Sequence, residues 1–216
     1  MSDKIWNEVD AYIEEQLVAE DDALSAAVRE SAAAGLPAIA VSAAQGKMLH
    51  LFARAIGARR ILEIGTLGGY SAIWMARALP EDGKLVTLEI DPRNAEVASQ
   101  NIARAGLATK VEIKVGPAIS HLPALDGPFD MVFIDADKES NADYFDHAVR
   151  LSRKDAVIIV DNVIRRGAVT DPGGNAQVQG VRRMMDAIHS NRRVAATAVQ
   201  TVGAKGYDGF LMAVVK

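Results

Sequence analysis

The sequence predicts a Rossmann-like α/β fold, with a mostly parallel seven-stranded sheet, helices before the first strand and an antiparallel hairpin at the end. From Arg60 onward, short β-rich runs alternate with amphipathic segments, as in a parallel sheet covered by helices on both faces. After a last helical segment at 176–190, two strand-like runs follow at 193–200 and 209–215 with no helix between them. Such neighbouring strands must pair antiparallel.

Three helical segments precede the first strand. In the first of them, apolar residues recur at four-residue spacing, namely Ile5, Val9, Ile13 and Leu17. The other two cover about 22–34 and 42–56, and their apolar faces must pack on the sheet or on another subunit. Five further strands are predicted at 60–64, 84–89, 111–115, 131–135 and 156–160, separated by helices at about 70–79, 93–105, 118–122 and 141–151. We expect a single domain over 1–216, with a helical cap at 1–57 and the Rossmann-like core at 58–216.

Composition excludes several classes of function. The net charge of −4 disfavours nucleic acid as a partner, because nucleic-acid-binding proteins usually carry a concentrated basic surface. The absence of cysteine excludes disulfides, thiolate catalysis and thiolate metal sites. No run approaches the roughly 20 apolar residues of a membrane span, and the first residues lack a signal-peptide core. We therefore expect a cytoplasmic protein without a membrane partner.

A glycine-rich turn follows the first predicted strand. Positions 61–71 read ILEIGTLGGYS, in which Gly65, Gly68 and Gly69 would let the backbone approach a ligand closely. Ser71 at the start of the next helix could cap it or bind a ligand carboxylate. The same pattern also occurs in tight turns that bind no ligand. The acidic residues nearby help to distinguish a ligand-binding turn from a purely structural one.

Two acidic residues narrow the choice of cofactor. Glu63 lies inside the strand before the glycines, where it could accept a hydrogen bond from an amino-acid ammonium, directly or through water. Glu89 ends the second strand, where an acid can accept both ribose hydroxyls of NAD or of S-adenosylmethionine. The loop reads G-T-L-G-G rather than G-x-G-x-x-G, and a methionine carboxylate needs fewer N–H donors than a pyrophosphate. This favours S-adenosylmethionine, with an NAD-binding oxidoreductase as the alternative.

Acidic and amide side chains follow the fourth and fifth strands. Asp135, Asp137 and Lys138 come after the fourth, and Asp161 and Asn162 after the fifth. In open parallel sheets ligands collect at these strand ends. Asp135, Asp161 and Asn162 form an all-oxygen set that suits Mg²⁺, with Mn²⁺ or Ca²⁺ less favoured. A lysine beside a cation becomes a candidate base. The alternative interpretation is that these acids cap helices or face solvent.

Together these motifs resemble the metal-dependent class I O-methyltransferases that include the caffeoyl-CoA and catechol O-methyltransferases. The resemblance extends from about Val41 to the C-terminus and rests on LEIGTLGGYS (62–71), TLEID (87–91), VGPA (115–118), IDADK (134–138), DN (161–162) and GYDGF (206–210). Each motif is weak by itself, but six in order at consistent spacing form a specific pattern.

The resemblance implies a function and a set of site residues. It implies transfer of a methyl group from S-adenosylmethionine to one hydroxyl of a catechol-like small molecule or its coenzyme A ester, in a homodimer. It assigns to the cofactor Val41, Glu63, Gly65, Thr66, Gly69, Ser71, Glu89, Ala118 and Asp137. It assigns the metal to Asp135, Asp161 and Asn162, with Lys138 as base and Asp135 also near the acceptor. Arg165 and Arg166 stand where several relatives carry apolar or small residues, which leaves the acceptor open. A non-catalytic cofactor-binding protein is a further alternative.

Overall fold

The computed structural model describes residues 3–216, in which helices and strands alternate as predicted from Arg60 onward. The helices are α1 (Asp3–Leu17), α2 (Asp22–Ala33), α3 (Ala43–Ala55), α4 (Tyr70–Ala76), α5 (Pro92–Arg104), α6 (Ala118–His121), α7 (Asn141–Leu151) and α8 (Ala176–Ser190). The strands are β1 (Arg60–Ile64), β2 (Lys84–Glu89), β3 (Val111–Val115), β4 (Phe129–Ile134), β5 (Ser152–Asp161), β6 (Val194–Gly203) and β7 (Gly206–Val215). Short 3₁₀ helices occur at Leu122–Ala124, Lys138–Ser140 and Arg165–Thr170.

The strands form one seven-stranded sheet in the order β3-β2-β1-β4-β5-β7-β6. Strands β1 to β5 pair in parallel, whereas β7 runs antiparallel to both β5 and β6. The predicted fold class, including the terminal antiparallel hairpin, is therefore confirmed. The chain leaves β1 toward β2 and β3 on one side and returns to β4 and β5 on the other, so the order reverses between β1 and β4. Ligands in such sheets bind at this switch point, beyond the carboxyl ends of the strands.

Alternating strand residues build a hydrophobic core on each face of the sheet. On β1, Leu62 and Ile64 belong to the core under α7 and α8, whereas Ile61 belongs to the core under α3, α4 and α5. This follows from the two-residue period of a strand, which sends successive side chains to opposite faces. Glu63 shares the face of Ile61, so the strand directs a carboxyl into an otherwise apolar layer.

The N-terminal helices differ in how fully they are packed. Leu24 of α2 and Leu49 of α3 are completely buried. Helix α1 contacts β6 and α3, and its Asp10 accepts a hydrogen bond from the Ala204 amide at 2.6 Å. The apolar residues of α1 are nevertheless mostly exposed, with Leu17 71% exposed. Helix α2 therefore packs mainly on α5 and α4, and α3 on α4, rather than directly on the sheet. The expectation of another subunit against α1 stays a prediction.

Local sequence explains where four of the helices begin and where another one ends. Asp21, Ser42, Asp91 and Asn175 each accept a hydrogen bond from a backbone N–H of the following first turn, which satisfies a free donor. Helix α4 ends at Ala76, earlier than the predicted limit of about 79. Pro80 contributes to this end, because it has no N–H to bond the Ala76 carbonyl and its ring would clash with that carbonyl in a continued helix. Over residues 3–216, no helix combines the length and the apolar character that crossing a membrane requires.

Candidate active site

A cavity of about 770 Å³ lies at the carboxyl ends of β1, β2, β4 and β5. Its volume is in the range of small-molecule sites, which occupy about 300–1,000 Å³. The loop between α2 and α3, residues 36–41, covers one side of the cavity, and Asn162 and Arg165 line another. Val41 and Ala118, both predicted cofactor residues, line it as well.

The glycine-rich turn forms one wall of the cavity. Gly65 has a φ of +99°, and a Cβ there would lie 2.1 Å from the carbonyl oxygen of Asp135. Only glycine fits this position without moving the end of β4. Gly69, with a φ of +82°, instead lies against Ala98 of α5 and begins α4. Gly69 therefore shapes the turn and does not line the cavity, contrary to its predicted approach to a ligand.

Glu63 is enclosed behind this wall. Its two carboxyl oxygens accept hydrogen bonds from Ser71 Oγ at 2.5 Å and Thr87 Oγ1 at 2.7 Å, and the side chain is fully buried. Burial outweighs these hydrogen bonds and raises the pKa of Glu63 to about 8. Ser71 lines the cavity and Glu63 lies behind it, joined to it by the hydrogen bond from Ser71 Oγ. The predicted bond of Glu63 to a ligand ammonium, directly or through water, stays a prediction.

Glu89 connects the end of β2 to the glycine-rich turn. Its Oε2 accepts hydrogen bonds from the backbone amides of Thr66 at 3.1 Å and Leu67 at 2.7 Å. Its Oε1 accepts from the Asp91 amide at 3.0 Å and from Asn94 Nδ2 at 3.3 Å. Glu89 thus holds the turn in place while lining the cavity. Its predicted bonds to ribose hydroxyls would compete with these four donors.

Asp135 directly follows β4, and Asp161 is the last residue of the neighbouring strand β5. Ile134 of β4 pairs with Val160 of β5, so the next residues on both strands lie side by side, about 4.8 Å apart along the sheet. Asp161 is almost completely buried. Burial and the nearby charge of Asp135 raise its pKa to about 6. The Gln45 side chain of α3 donates a hydrogen bond to Asp161 and opposes that shift.

Lys138 completes this acidic edge. Its Nζ donates to Asp135 Oδ1 at 2.8 Å, and the side chain is 8% exposed. Gly180 of α8 packs against its backbone so tightly that a Cβ there would lie 2.0 Å from the Lys138 carbonyl oxygen. The lysine predicted as base is therefore held beside the acid predicted to bind both metal and acceptor.

Asp137 points away from these groups. Its carboxylate accepts hydrogen bonds from Tyr144 Oη at 2.6 Å and from the Ser140 amide at 3.2 Å. Although burial raises the pKa of Asp137, the bonds from Ser140 and Tyr144 lower it by more, so the net shift is downward. The side chain lines the cavity and starts the 3₁₀ helix at Lys138–Ser140.

The donor set fits a hard divalent cation that keeps some water or substrate ligands. Asp135 and Asp161 supply carboxylate oxygens, and Asn162, with a φ of +56°, lines the cavity beside them. Across residues 3–216, no cluster of three or more histidine or acidic side chains has a metal-binding arrangement. A cation here would therefore depend on the Asn162 amide oxygen and on further oxygens from outside the chain, as is usual for Mg²⁺.

Several residues of the site were not found by sequence reasoning. They are Thr87 behind Glu63, Gln45 against Asp161, Gly180 behind Lys138 and Asp208, whose Oδ1 accepts from the amides of Ile164 and Arg165. Gln45 and Gly180 contact the site only through tertiary packing, so no local pattern marks them. Thr87 lies within the TLEID motif, which was recognised without a role for its hydroxyl. Asp208 lies within the GYDGF motif, which was recognised without a role for its acid.

The fold and the position of its cavity define a class I methyltransferase architecture. The chain belongs to the O-methyltransferase family, whose model matches residues 14–213. A catechol O-methyltransferase of Mycobacterium tuberculosis is 54% identical over 210 residues, which cover 97% of this chain and 96% of the relative. Membership of this family makes the chain an O-methyltransferase and excludes the NAD-dependent oxidoreductase.

Two solved structures are similar over the whole chain. The O-methyltransferase TomG of Streptomyces achromogenes, involved in tomaymycin synthesis and solved in complex with S-adenosylmethionine, is 54% identical with a TM-score of 0.97. The similarity covers 100% of this chain and 99% of TomG. An O-methyltransferase of Bacillus cereus in complex with S-adenosylhomocysteine is 49% identical, with a TM-score of 0.98 and full coverage of both chains.

Proposed function

We propose that this O-methyltransferase moves the methyl group of S-adenosylmethionine to one hydroxyl of a vicinal diol on an aromatic ring, with a divalent cation, Mg²⁺ in the first instance, at Asp135, Asp161 and Asn162. The observation that carries the proposal is the in-register pair Asp135 and Asp161, with Lys138 beside it, at the rim of the cavity behind the glycine-rich turn. The oxygens of two adjacent hydroxyls can fill two coordination positions of the cation that the protein leaves to water or substrate.

The cofactor occupies the part of the cavity next to the glycine-rich turn. Thr66 and Ser71 line it there, together with Glu89, Val41 and Ala118. In support, TomG and the Bacillus cereus enzyme were solved with S-adenosylmethionine and S-adenosylhomocysteine. Ser71 keeps its hydrogen bond to Glu63 and so orients the polar wall that faces the amino-acid end of the cofactor.

The acceptor occupies the opposite end, near Asp135 and Lys138. Lys138 takes the hydroxyl proton, and the resulting oxygen forms a bond to the methyl carbon as the carbon–sulfur bond breaks. The products are a methyl ether and S-adenosylhomocysteine. A divalent cation held by Asp135, Asp161 and Asn162 would supply acidification of the diol hydroxyl. Gly180 keeps Lys138 beside Asp135, so the chain contributes mainly by positioning.

The proposed chain partner is a second copy of itself. Support comes from the exposed apolar residues of α1 and β6, which lie on adjoining elements: Val9, Tyr12, Leu17, Val199 and Val202. An exposed apolar patch on such a protein often marks an interface. A dimer would cover the face of α1 that the sheet leaves open.

Methyl transfer to 1,2-dihydroxybenzene, with and without EDTA, tests the proposed chemistry. We expect turnover with Mg²⁺, its loss in EDTA and its recovery when Mg²⁺ is added in excess. Resorcinol, with non-adjacent hydroxyls, is the matched acceptor and should react poorly. Undiminished turnover after complete metal removal would refute the metal, and equal use of resorcinol would refute the vicinal diol.

A further inference from the structure

Arg165 is a cation in the active-site cavity that the proposed chemistry does not use. It lines the same cavity as Asp135, Lys138 and Asn162, and it follows Asn162 by three positions. The side chain is half-buried. Arg165 therefore brings a positively charged residue to the cavity in which the acceptor is proposed to bind. It is a different residue from Lys138, the proposed base.

The backbone at Arg165 is held in an unusual conformation. Its φ is +54°, in the left-handed region that residues with a side chain seldom adopt. Asp208 of β7 holds it there, because Oδ1 accepts from the amides of Ile164 at 3.0 Å and Arg165 at 2.9 Å. Backbone strain of this kind is concentrated at ligand sites, where the fold directs a particular side chain.

The guanidinium has no negatively charged partner. Its Nη2 donates to Gln177 Oε1, a neutral amide that also lines the cavity. Within residues 3–216, no salt bridge includes Arg165. Two acids that line the same cavity are engaged elsewhere, Asp135 with Lys138 and Asp137 with Ser140 and Tyr144. Most of the donors of Arg165 thus remain available to a ligand.

We propose that Arg165 binds a carboxylate of the acceptor, so that the preferred substrate is an aromatic acid with two adjacent hydroxyls and not a neutral catechol. This inference rests on the proposed function, since it names the substrate class of the same site. A guanidinium fork matches the two oxygens of a carboxylate, which makes this pairing stronger and more directional than that of an ammonium.

A pair of acceptors with the same ring tests the inference. 3,4-Dihydroxybenzoate carries the carboxylate, and its methyl ester replaces the carboxylate with a neutral group on the same ring. We expect kcat/KM for the acid to exceed that for the ester by about tenfold to hundredfold, the range of a hydrogen bond to a charged group. The difference should arise mainly in KM.

Two variants separate this role from a general loss of structure. Arg165→Met should lower kcat/KM for the acid by about tenfold or more beyond any change for the ester, so that the preference for the acid is lost. Arg166→Met is the matched control, because Arg166 has nearly the same φ, +55°, but is exposed and outside the cavity lining. It should keep the preference. A wild-type enzyme without preference, or an equal loss for acid and ester in Arg165→Met, would overturn the proposal.

Binding gives a second measurement that does not depend on turnover. Calorimetric titration of the S-adenosylhomocysteine-loaded protein with the acid and the ester should give the same order of affinity, lost in Arg165→Met. If no dihydroxybenzene is methylated, the proposed function fails, and the binding result alone decides on Arg165. Equal affinity for acid and ester in that titration overturns the carboxylate site.

Discussion

Replacing Gly180 by alanine tests whether α8 holds the proposed base in place. Gly180 lies inside α8, and an added Cβ would lie 2.0 Å from the Lys138 carbonyl oxygen and 2.7 Å from Glu139 Cα. Both contacts are with backbone, so neither can be relieved by rotating a side chain. Either α8 must move outward, or the 3₁₀ helix at Lys138–Ser140 must shift.

Two opposing contributions set the expected change in stability. An alanine in place of a helical glycine is ordinarily stabilising by about 0.5–1 kcal/mol. Overpacking of a rigid interior costs about 1–3 kcal/mol. Because the obstacle is backbone, we expect overpacking to prevail, with a net loss of about 1–2 kcal/mol in the free energy of unfolding. A displacement of Lys138 approaching 1 Å would lower kcat by about tenfold to hundredfold.

Urea unfolding and steady-state kinetics with 1,2-dihydroxybenzene measure the two effects. Gly83→Ala is the control, because its Cβ would lie 2.8 Å from Leu79 Cβ, in the turn before β2 and away from the carboxyl ends of the strands. It should lose some stability and keep its kcat. A Gly180→Ala protein as stable as wild type, or more so, with unchanged kcat would refute the reasoning.

Three further predictions concern the base, the buried acid and the oligomer. Lys138→Ala should lower kcat by about 10²–10⁴-fold while leaving the affinity for S-adenosylhomocysteine within about twofold, and normal turnover would reject Lys138 as base. Because the pKa of Glu63 is raised from 4.5 to about 8, its neutral form stabilises the fold below pH 4.5, and that contribution is lost as the pH rises through 8. Without cofactor, the stability of wild type relative to Glu63→Gln should therefore fall from pH 5 to pH 8 in urea titrations, and a constant difference would contradict the raised pKa. Light scattering should give twice the mass of one chain, and Tyr12→Glu, at a side chain that is 65% exposed, should shift the mass toward one chain; a monomeric wild type would refute the dimer.

The architecture was predictable because its causes are local. The apolar runs at 60–64 and 84–89 are strands in the structure with the same bounds, since burial on both faces requires continuous apolar residues. The uninterrupted succession of the last two runs predicted the antiparallel hairpin of β6 and β7. The ends of elements were less accurate, as at α4, where Pro80 acts on residues before it in the chain.

The sequence by itself determined the order of elements, the glycine-rich turn and the acidic strand ends that bring Asp135 next to Asp161, because parallel strands in a known order place their carboxyl ends at one edge. Only the tertiary structure decided what surrounds them. It enclosed Glu63 behind Ser71, paired Lys138 with Asp135 and left Arg165 without an acidic partner. Lys138 and Asp135 are only three positions apart, but the bond of Thr87 to Glu63 and that of Asp208 to the Arg165 amide join residues far apart in the chain. The charge and the burial of a site residue depend on all of its contacts, and a short stretch of sequence does not show the distant ones.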